Sequence, residues 1–182
     1  PVYLLDIVPK GVDNRNSIAE TAIAKLLKAD PAPFMHKNNA KLVTPGNIED
    51  HLEWLADADW VIEAVLENPA IKQALYQKLD TMCRPDTLIS SNTSTLPLKL
   101  LTRDMPDSFK QRFMISHFFN PPRYMRLLEL VSAAETKPEL VASVSHFADT
   151  HLGKDSVICK DTPGFIGNRI GIYWLQCGLL EA

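Results

Sequence analysis

One histidine and one glutamate lie in two neighbouring apolar segments and have the residue types of an acid–base pair. His117 lies near the end of the apolar segment 113–119, and Glu129 lies within the second segment, 125–131. Residues 120–122, Asn-Pro-Pro, favour a turn between them, because proline has no N–H group and fixes φ. Two buried strands joined by this turn would bring the imidazole beside the carboxylate.

Such a pair can carry out general acid–base catalysis. A buried carboxylate accepts the proton of one ring nitrogen, which leaves the other nitrogen as a base and stabilises the imidazolium once it forms. Histidine as a residue type titrates near neutral pH, where a proton-transfer catalyst works best. The alternative is a histidine that is satisfied inside a core and a glutamate at a strand edge. This segment alone does not separate the two interpretations.

The composition excludes several classes of protein. With 46% hydrophobic and 23% charged residues, the 182-residue chain can bury a core, and its net charge of -3 gives no indication of a nucleic-acid partner. No apolar segment has the length of a membrane span, and there is no signal peptide. Cys83, Cys159 and Cys177 are far apart, as in a protein with reduced thiols and no metal site. We expect a cytoplasmic protein.

Apolar segments that end in polar residues alternate with amphipathic ones. Residues 2–5 predict a buried parallel strand that is closed by Asp6. In a dinucleotide-binding fold, an acid at the end of the second strand binds the ribose hydroxyls, although Asp also ends many strands as a turn former. The Gly-rich sequence that should precede this strand is absent.

Glu67 follows a second predicted strand, residues 60–65. Ligands bind at the carboxyl ends of strands in open α/β sheets, so Glu67 either faces a ligand or lies at the first turn of the predicted helix 71–82. Lys72 lies near enough along this helix to pair with Glu67.

A third strand, residues 87–91, is followed by Asn92 and Ser94, whose side chains can hydrogen-bond a cofactor or substrate, or simply cap the loop. Asn168 lies one turn into a helix that we expect to begin with Thr162 as its N-cap. Its side chain either points back toward the sheet or is exposed to solvent.

The alternation of strands and helices predicts an α/β fold with a mainly parallel sheet and flanking helices. We also expect a capping box at the start of the helix 17–29. A short helix is expected at residues 51–55, after the segment Thr44-Pro45-Gly46-Asn47. The polar residues after the strands then converge on one cleft.

Four sequence blocks resemble the 3-hydroxyacyl-CoA dehydrogenases, in the family's order and with nearly its spacing. These blocks are His117-Phe-Phe-Asn-Pro with Met125 and Leu128-Glu129, Val61-Ile-Glu-Ala-Val-Leu-Glu67-Asn68, Ser91-Asn-Thr-Ser94, and Lys160-Asp-Thr-Pro-Gly-Phe-Ile-Gly-Asn168-Arg169. The residues Pro122-Arg123-Tyr124 differ from those that are commoner at these positions in the family. The resemblance covers nearly the whole chain.

The resemblance implies catalytic roles. His117 would be the general base that takes the proton from the substrate 3-hydroxyl as hydride leaves for the nicotinamide. Glu129 would be its orienting partner. Ser94 and Asn168 would hydrogen-bond the reacting oxygen.

The resemblance also implies NAD as the cofactor. Asp6 would be the acid that binds the adenosine ribose. Glu67, Lys72 and Asn92 match family positions near the nicotinamide half of NAD.

Two domains follow from the resemblance: a Rossmann-type NAD-binding domain at 1–161, without its first strand, and the first helix of an all-α C-terminal domain at 162–182. The strands 2–6 and 60–65 would then lack their shared neighbour. We therefore expect an inactive fragment of an enzyme that oxidises L-3-hydroxyacyl-CoA to 3-oxoacyl-CoA in fatty-acid β-oxidation. The parent would be a homodimer or part of a larger multifunctional β-oxidation protein.

Two other functions are compatible with the same sequence. One is a dehydrogenase of a free 3-hydroxy acid or a sugar on this fold, and the other is a non-catalytic binding or structural relative. A purely structural protein needs neither the His117–Glu129 pair nor Asn168, which argues against the second.

Overall fold

Strands and helices alternate along the chain in a computed structural model that describes residues 1–181. The strands are β1 (Val2–Asp6), β2 (Val43–Asn47), β3 (Trp60–Glu63), β4 (Leu88–Ser91), β5 (Phe113–Phe118), β6 (Leu127–Val131) and β7 (Asp155–Cys159). The α-helices are α1 (Ser17–Lys28), α2 (Pro69–Met82), α3 (Leu98–Leu101), α4 (Asp107–Gln111), α5 (Pro138–Leu152) and α6 (Gly167–Glu181). Within residues 1–181, no helix has the length and hydrophobicity that a membrane span requires.

The strands form two sheets that are mainly parallel. Strand β1 pairs with β2 in parallel, and the second sheet has the order β3-β4-β5-β6-β7. Of its four pairs only β5–β6 is antiparallel. The predicted α/β class with a mainly parallel sheet is confirmed. Strands β1 and β3 do not pair with each other in the described part of the chain, so each has a free edge.

Helices cover both faces of the five-stranded sheet. On one face α2, α3 and α4 bury a cluster around Tyr76 and Phe113, and Leu5 of β1 packs against the same cluster. On the other face α5 covers Leu128 and Leu130 through Val144. This two-sided burial explains why the strand segments are nearly continuous apolar runs.

It is wrong to leave residues 44–47 outside the strands, as the sequence analysis does, because this segment belongs to strand β2. Pro45 is tolerated there because β2 belongs to a two-stranded sheet and has one unpaired edge, and proline within sheets occurs in edge strands. Gly46 is required by close approach: a Cβ atom would lie 2.8 Å from Leu5 Cδ2 and from Trp54 Cζ3. The short helix expected at 51–55 is a 3₁₀ helix at Leu52–Asp57.

The predicted capping box is also wrong. Helix α1 begins at Ser17, and Asn16, not Ser17, is its N-cap residue. The Glu20 carboxylate instead accepts a hydrogen bond of 2.7 Å from the Asn14 side chain. The Asn14 side chain is therefore the donor to Glu20, and the reciprocal hydrogen bonds of a capping box between Ser17 and Glu20 do not form.

Helix α6 begins later than the sequence indicates. Gly164 and Phe165 have φ values of 74° and 44°, which place them in the left-handed region and prevent a helix from starting at Thr162. The helix starts at Gly167 and presents large apolar side chains to solvent, among them Trp174 at 73% exposed. Ala182, the last residue of the expected second domain, lies outside the described residues.

Candidate active site

The β5–β6 hairpin places His117 directly opposite Glu129. The two residues are Cα partners in the antiparallel register, and His117 Nδ1 lies 2.7 Å from Glu129 Oε2. The imidazole is 7% exposed and the carboxylate is fully buried. Since Nδ1 is held by the carboxylate, Nε2 is the nitrogen available to exchange a proton.

The second oxygen of Glu129 is bound by the start of helix α6. Oε1 accepts hydrogen bonds from Ile166 N at 2.9 Å and from Gly167 N at 2.7 Å. These are N–H groups that a helix leaves unsatisfied at its start, where the helix dipole also favours a negative charge. The carboxylate is therefore fixed at both oxygens, which offsets the cost of burying it.

Two aromatic rings surround the imidazole. The ring centroids of Phe119 and Phe165 lie 4.5 Å and 5.8 Å from that of His117. Phe119 also packs against the start of α6, where a Cβ on Gly167 would lie 2.7 Å from Phe119 Cζ. Gly167 thus allows the helix start, the aromatic ring and the acid–base pair to approach one another.

Asn168 and the Ser94 loop meet at an open cleft of about 410 Å³ beside the start of α6. The cleft is lined by Asn168, Thr95, Pro163, Gly164, Gly167, Gly171, Ile172 and Leu175. Ser94 is half-buried in the loop after β4 and immediately precedes Thr95. The cleft combines polar groups with an apolar floor, as small-molecule sites do.

Asn92 connects the end of β4 to the end of β5. Its Oδ1 accepts a hydrogen bond of 2.9 Å from Phe118 N, the residue after His117. The structure thus places Asn92 within one residue of the acid–base pair, in a structural contact that the sequence did not reveal.

Glu67 and Lys72 form a second polar cluster at the end of β3. Lys72 Nζ lies 3.2 Å from Glu67 Oε2, and Glu67 Oε1 also accepts hydrogen bonds from the hydroxyls of Thr93 and Thr95. Partial burial raises the pKa of Glu67, but the hydrogen bonds from Thr93 and Lys72 outweigh it, so that its pKa lies below the ordinary value. The carboxylate is ionised at neutral pH and is partly open to solvent.

Glu63 is a buried residue that the sequence analysis did not single out. It is 3% exposed and accepts hydrogen bonds of 2.7 Å from Lys72, Tyr76, Ser91 and the backbone N–H of Val65. Burial, followed by the charge of Glu63, raises the pKa of Tyr76, so this hydroxyl remains a donor. The sequence does contain a signal for this buried residue, because Glu63 is a glutamate within an otherwise apolar strand segment.

Asp6 lies away from these clusters, at the carboxyl end of β1. Its Oδ1 accepts a hydrogen bond of 2.7 Å from the following amide, Ile7 N. The side chain is half-buried.

The family model described as 3-hydroxyacyl-CoA dehydrogenase, NAD binding domain, matches residues 1–162. The chain belongs to the 3-hydroxyacyl-CoA dehydrogenase family. It is 43% identical to a probable 3-hydroxyacyl-CoA dehydrogenase of Deinococcus radiodurans, over 95% of this chain and 50% of that protein. It is 47% identical to a putative fatty acid oxidation complex trifunctional enzyme of Rickettsia felis, over 96% of this chain and 24% of that protein.

Solved structures of the family show the same architecture. The 3-hydroxybutyryl-CoA dehydrogenase of Escherichia coli K12 superposes with a TM-score of 0.73 and 29% identity, covering 93% of this chain and 35% of that chain. The chain thus spans half or less of the length of these relatives.

The residues of this dehydrogenase domain fit the NAD that the family binds. Asp6 and Glu67 are acidic side chains near strand ends, where dinucleotides are bound in folds of this type. Within residues 1–181, only Oδ1 of Asp6 has a protein donor, which leaves Oδ2 for a ribose hydroxyl. Lys72 is only 1% exposed and is bound to Glu63 and Glu67. It would therefore affect a bound ligand mainly by holding the Glu67 carboxylate in place.

Metal chemistry is not indicated by the arrangement of side chains. Among the residues that the structure describes, no three His, Cys, Asp or Glu side chains are grouped as metal ligands.

Proposed function

We propose that the protein containing this chain oxidises an L-3-hydroxyacyl-CoA to the 3-oxoacyl-CoA, as in fatty-acid β-oxidation. The observation that carries the proposal is the His117–Glu129 pair, in which a carboxylate held by two backbone N–H groups orients a histidine at 2.7 Å. A structural protein gains nothing from leaving one ring nitrogen of such a pair free.

His117 Nε2 takes the proton of the 3-hydroxyl group. Glu129 keeps the other ring proton on Nδ1 and stabilises the imidazolium that forms, without accepting the proton itself. Bound NAD supplies the hydride acceptor. Ser94 and Asn168, at the cleft beside α6, donate hydrogen bonds to the oxygen as it becomes a carbonyl.

The cofactor is held by the residues at the strand ends. Asp6 accepts the hydroxyls of the adenosine ribose and repels a 2′-phosphate, so NAD is preferred to NADP. Glu67, fixed by Lys72, faces the nicotinamide half together with Asn92. Comparing kcat/KM for the two cofactors checks this assignment, and a preference for NADP would contradict the role of Asp6.

The experiment is a steady-state assay of the complete polypeptide with acetoacetyl-CoA and NADH, the reverse reaction. We expect turnover that His117→Gln lowers by about 10²–10⁴-fold, the usual contribution of a general acid or base. The KM for NADH should change little, because His117 binds a proton and not the cofactor.

Parallel assays with free 3-hydroxy acids and with sugars separate the other functions. Turnover of a free acid without its CoA thioester would replace the acyl-CoA assignment. The absence of turnover with every substrate would identify a binding or structural relative.

The assembly and location belong to the same proposal. The relative from Rickettsia felis is named as a trifunctional enzyme of fatty acid oxidation. We expect the complete protein to be a homodimer or part of a multifunctional β-oxidation protein, and to lie in the cytoplasm, where its three free thiols stay reduced. Light scattering after gel filtration, and cell fractionation, measure these two properties.

A further inference from the structure

Lys154 is a buried lysine that the proposed mechanism does not use. It follows helix α5, is 5% exposed, and donates hydrogen bonds to two backbone carbonyls, those of Pro122 and Met125. Met125 O lies 2.6 Å from Nζ. Burial lowers the pKa of Lys154, and no carboxylate within residues 1–181 forms an ion pair with it. A buried ammonium is costly, so these two contacts must offset a real penalty.

The backbone of Lys154 is held firmly on both sides. Gly153 ends α5 in the left-handed conformation, with φ 62°, and Lys154 N donates to Ala148 O at 2.9 Å. This pattern is a helix C-cap that needs glycine. The next residue, Asp155, begins β7 and donates its N–H to Arg126 O at 2.9 Å. The backbone of Lys154 is therefore held in place between helix α5 and strand β7.

The segment that Lys154 binds is exposed to solvent along its whole length. Residues 120–126, which connect β5 to β6, are all exposed. Inside the loop, Tyr124 N and Met125 N both donate to Pro121 O. Arg123 donates to the carbonyls of Ala32 and Phe34, and the Tyr124 hydroxyl donates to Ala32 O, but Ala32 is exposed and Phe34 is only half-buried. Within residues 1–181, Lys154 is the only buried residue whose side chain binds this loop.

The loop is joined to the acid–base pair by Phe119, the residue that directly precedes it. Phe119 packs on the His117 ring at a centroid distance of 4.5 Å and fills the space above Gly167. A displacement of the loop would move this ring and would release the face of the imidazole.

We propose that Lys154 is a positioning residue: by holding the carbonyls of Pro122 and Met125, it fixes the β5–β6 loop and keeps His117 in its reactive orientation. The proposal rests on the proposed dehydrogenase function. Displacing a reacting group by about 1 Å can cost about 10²-fold in rate, so a loosened loop should lower turnover without unfolding the sheet.

The test compares Lys154→Met with Arg126→Met in the complete polypeptide. Methionine keeps the length and burial of the side chain but removes its donors. Arg126 lies in the same loop and pairs with Asp155 through side chains that are both more than half exposed, so its removal should have little effect. We expect Lys154→Met to lower kcat with acetoacetyl-CoA by about 10-fold to 100-fold, with KM for NADH nearly unchanged. Amide hydrogen exchange at Tyr124 and Met125 should become faster.

Lys154→Gln keeps an uncharged N–H donor group on a shorter side chain and should lie between the wild type and Lys154→Met. If the methionine variant does not fold, the glutamine variant alone should still lower kcat several-fold. An unchanged kcat in a folded Lys154 variant, or an equal loss in Arg126→Met, would overturn the proposal. A wild type without turnover would refute the proposed function instead, and hydrogen exchange in the loop would still report on Lys154.

Discussion

Glu63 and Glu129 are two buried carboxylates on strands of the same sheet, and their partners differ. They are 3% and 0% exposed, and each accepts at least three hydrogen bonds. Glu63 is neutralised by Lys72, which is itself 1% exposed. Glu129 is bound by His117 and by the backbone N–H groups of Ile166 and Gly167, of which Gly167 also lines the cleft.

The difference shows how the partner determines what a buried carboxylate can do. Lys72, Tyr76 and Ser91 all bind Glu63 through their side chains, so the Glu63 cluster mainly joins β3, α2 and β4. Histidine as a residue type exchanges its proton in the neutral range. Of the two carboxylates, Glu129 is therefore the one placed to stabilise a partner that changes its charge.

The largest expected effect is on turnover in Glu129→Gln. The glutamine oxygen can still accept the N–H groups of Ile166 and Gly167, but its amide then donates to His117 Nδ1 and forces the ring proton onto Nε2. A base in the wrong tautomer should lower kcat by about 10²–10⁴-fold while the circular dichroism spectrum stays that of the wild type. Glu139→Gln, at an exposed position of α5, is the matched control. An unfolded Glu129→Gln protein would instead show that the carboxylate is structural.

Glu63→Gln should mainly affect stability. It leaves the ammonium of Lys72 buried without its nearest counter-charge, which should reduce the free energy of unfolding by about 3–5 kcal/mol. Urea denaturation of the complete polypeptide measures the loss. Removing both charges in Glu63→Gln with Lys72→Met should recover part of it, because no buried ammonium then remains and Glu67, which loses its partner, is partly open to solvent. A larger loss of kcat in Glu63→Gln than in Glu129→Gln would contradict the different roles of the two carboxylates.

Gly167→Ala tests the close contact behind the acid–base pair. The added methyl group would lie 2.7 Å from Phe119 Cζ, so the ring or the helix start must move, at a cost of about 1–3 kcal/mol. Gly171→Ala is the control, since nothing lies within 4 Å of its added Cβ. That control should stabilise α6 by about 0.5–1 kcal/mol, because alanine favours a helix over glycine. Equal unfolding midpoints for the two variants would argue against the contact.

The smallest effect concerns Cys159, near Glu129. Burial, and then the charge of Glu129, raises the pKa of the Cys159 thiol to about 11. At pH 8 only about 0.1% is then thiolate, the reactive form, so iodoacetamide should label Cys159 slowly and faster as the pH approaches 11. The half-buried Cys177 should react first. Glu129→Gln should accelerate labelling of Cys159, whereas Glu63→Gln should not; mass spectrometry of the peptides measures both.

The sequence predicts well those features that depend on local pattern. The two apolar runs around Asn120-Pro121-Pro122 predicted the hairpin and the meeting of His117 with Glu129. The same local reasoning missed strand β2 at residues 43–47, where pairing with β1 overrides the low strand preference of proline and glycine. It also missed Glu63 and Lys154, because burial of a charged side chain depends on elements distant in the chain. No residue near Lys154 in the sequence indicates that its ammonium group binds the carbonyl oxygen of Met125.

The register of the β5–β6 hairpin has a consequence for folding fidelity. A slip by one residue turns every side chain of a strand to the opposite face. In β6 such a slip would move Leu128 and Leu130 away from α5 and would carry Glu129 into the apolar layer without its three donors. The misaligned hairpin would thus contain an uncompensated buried charge. The same carboxylate that orients His117 therefore also penalises the nearest misfolded alternative.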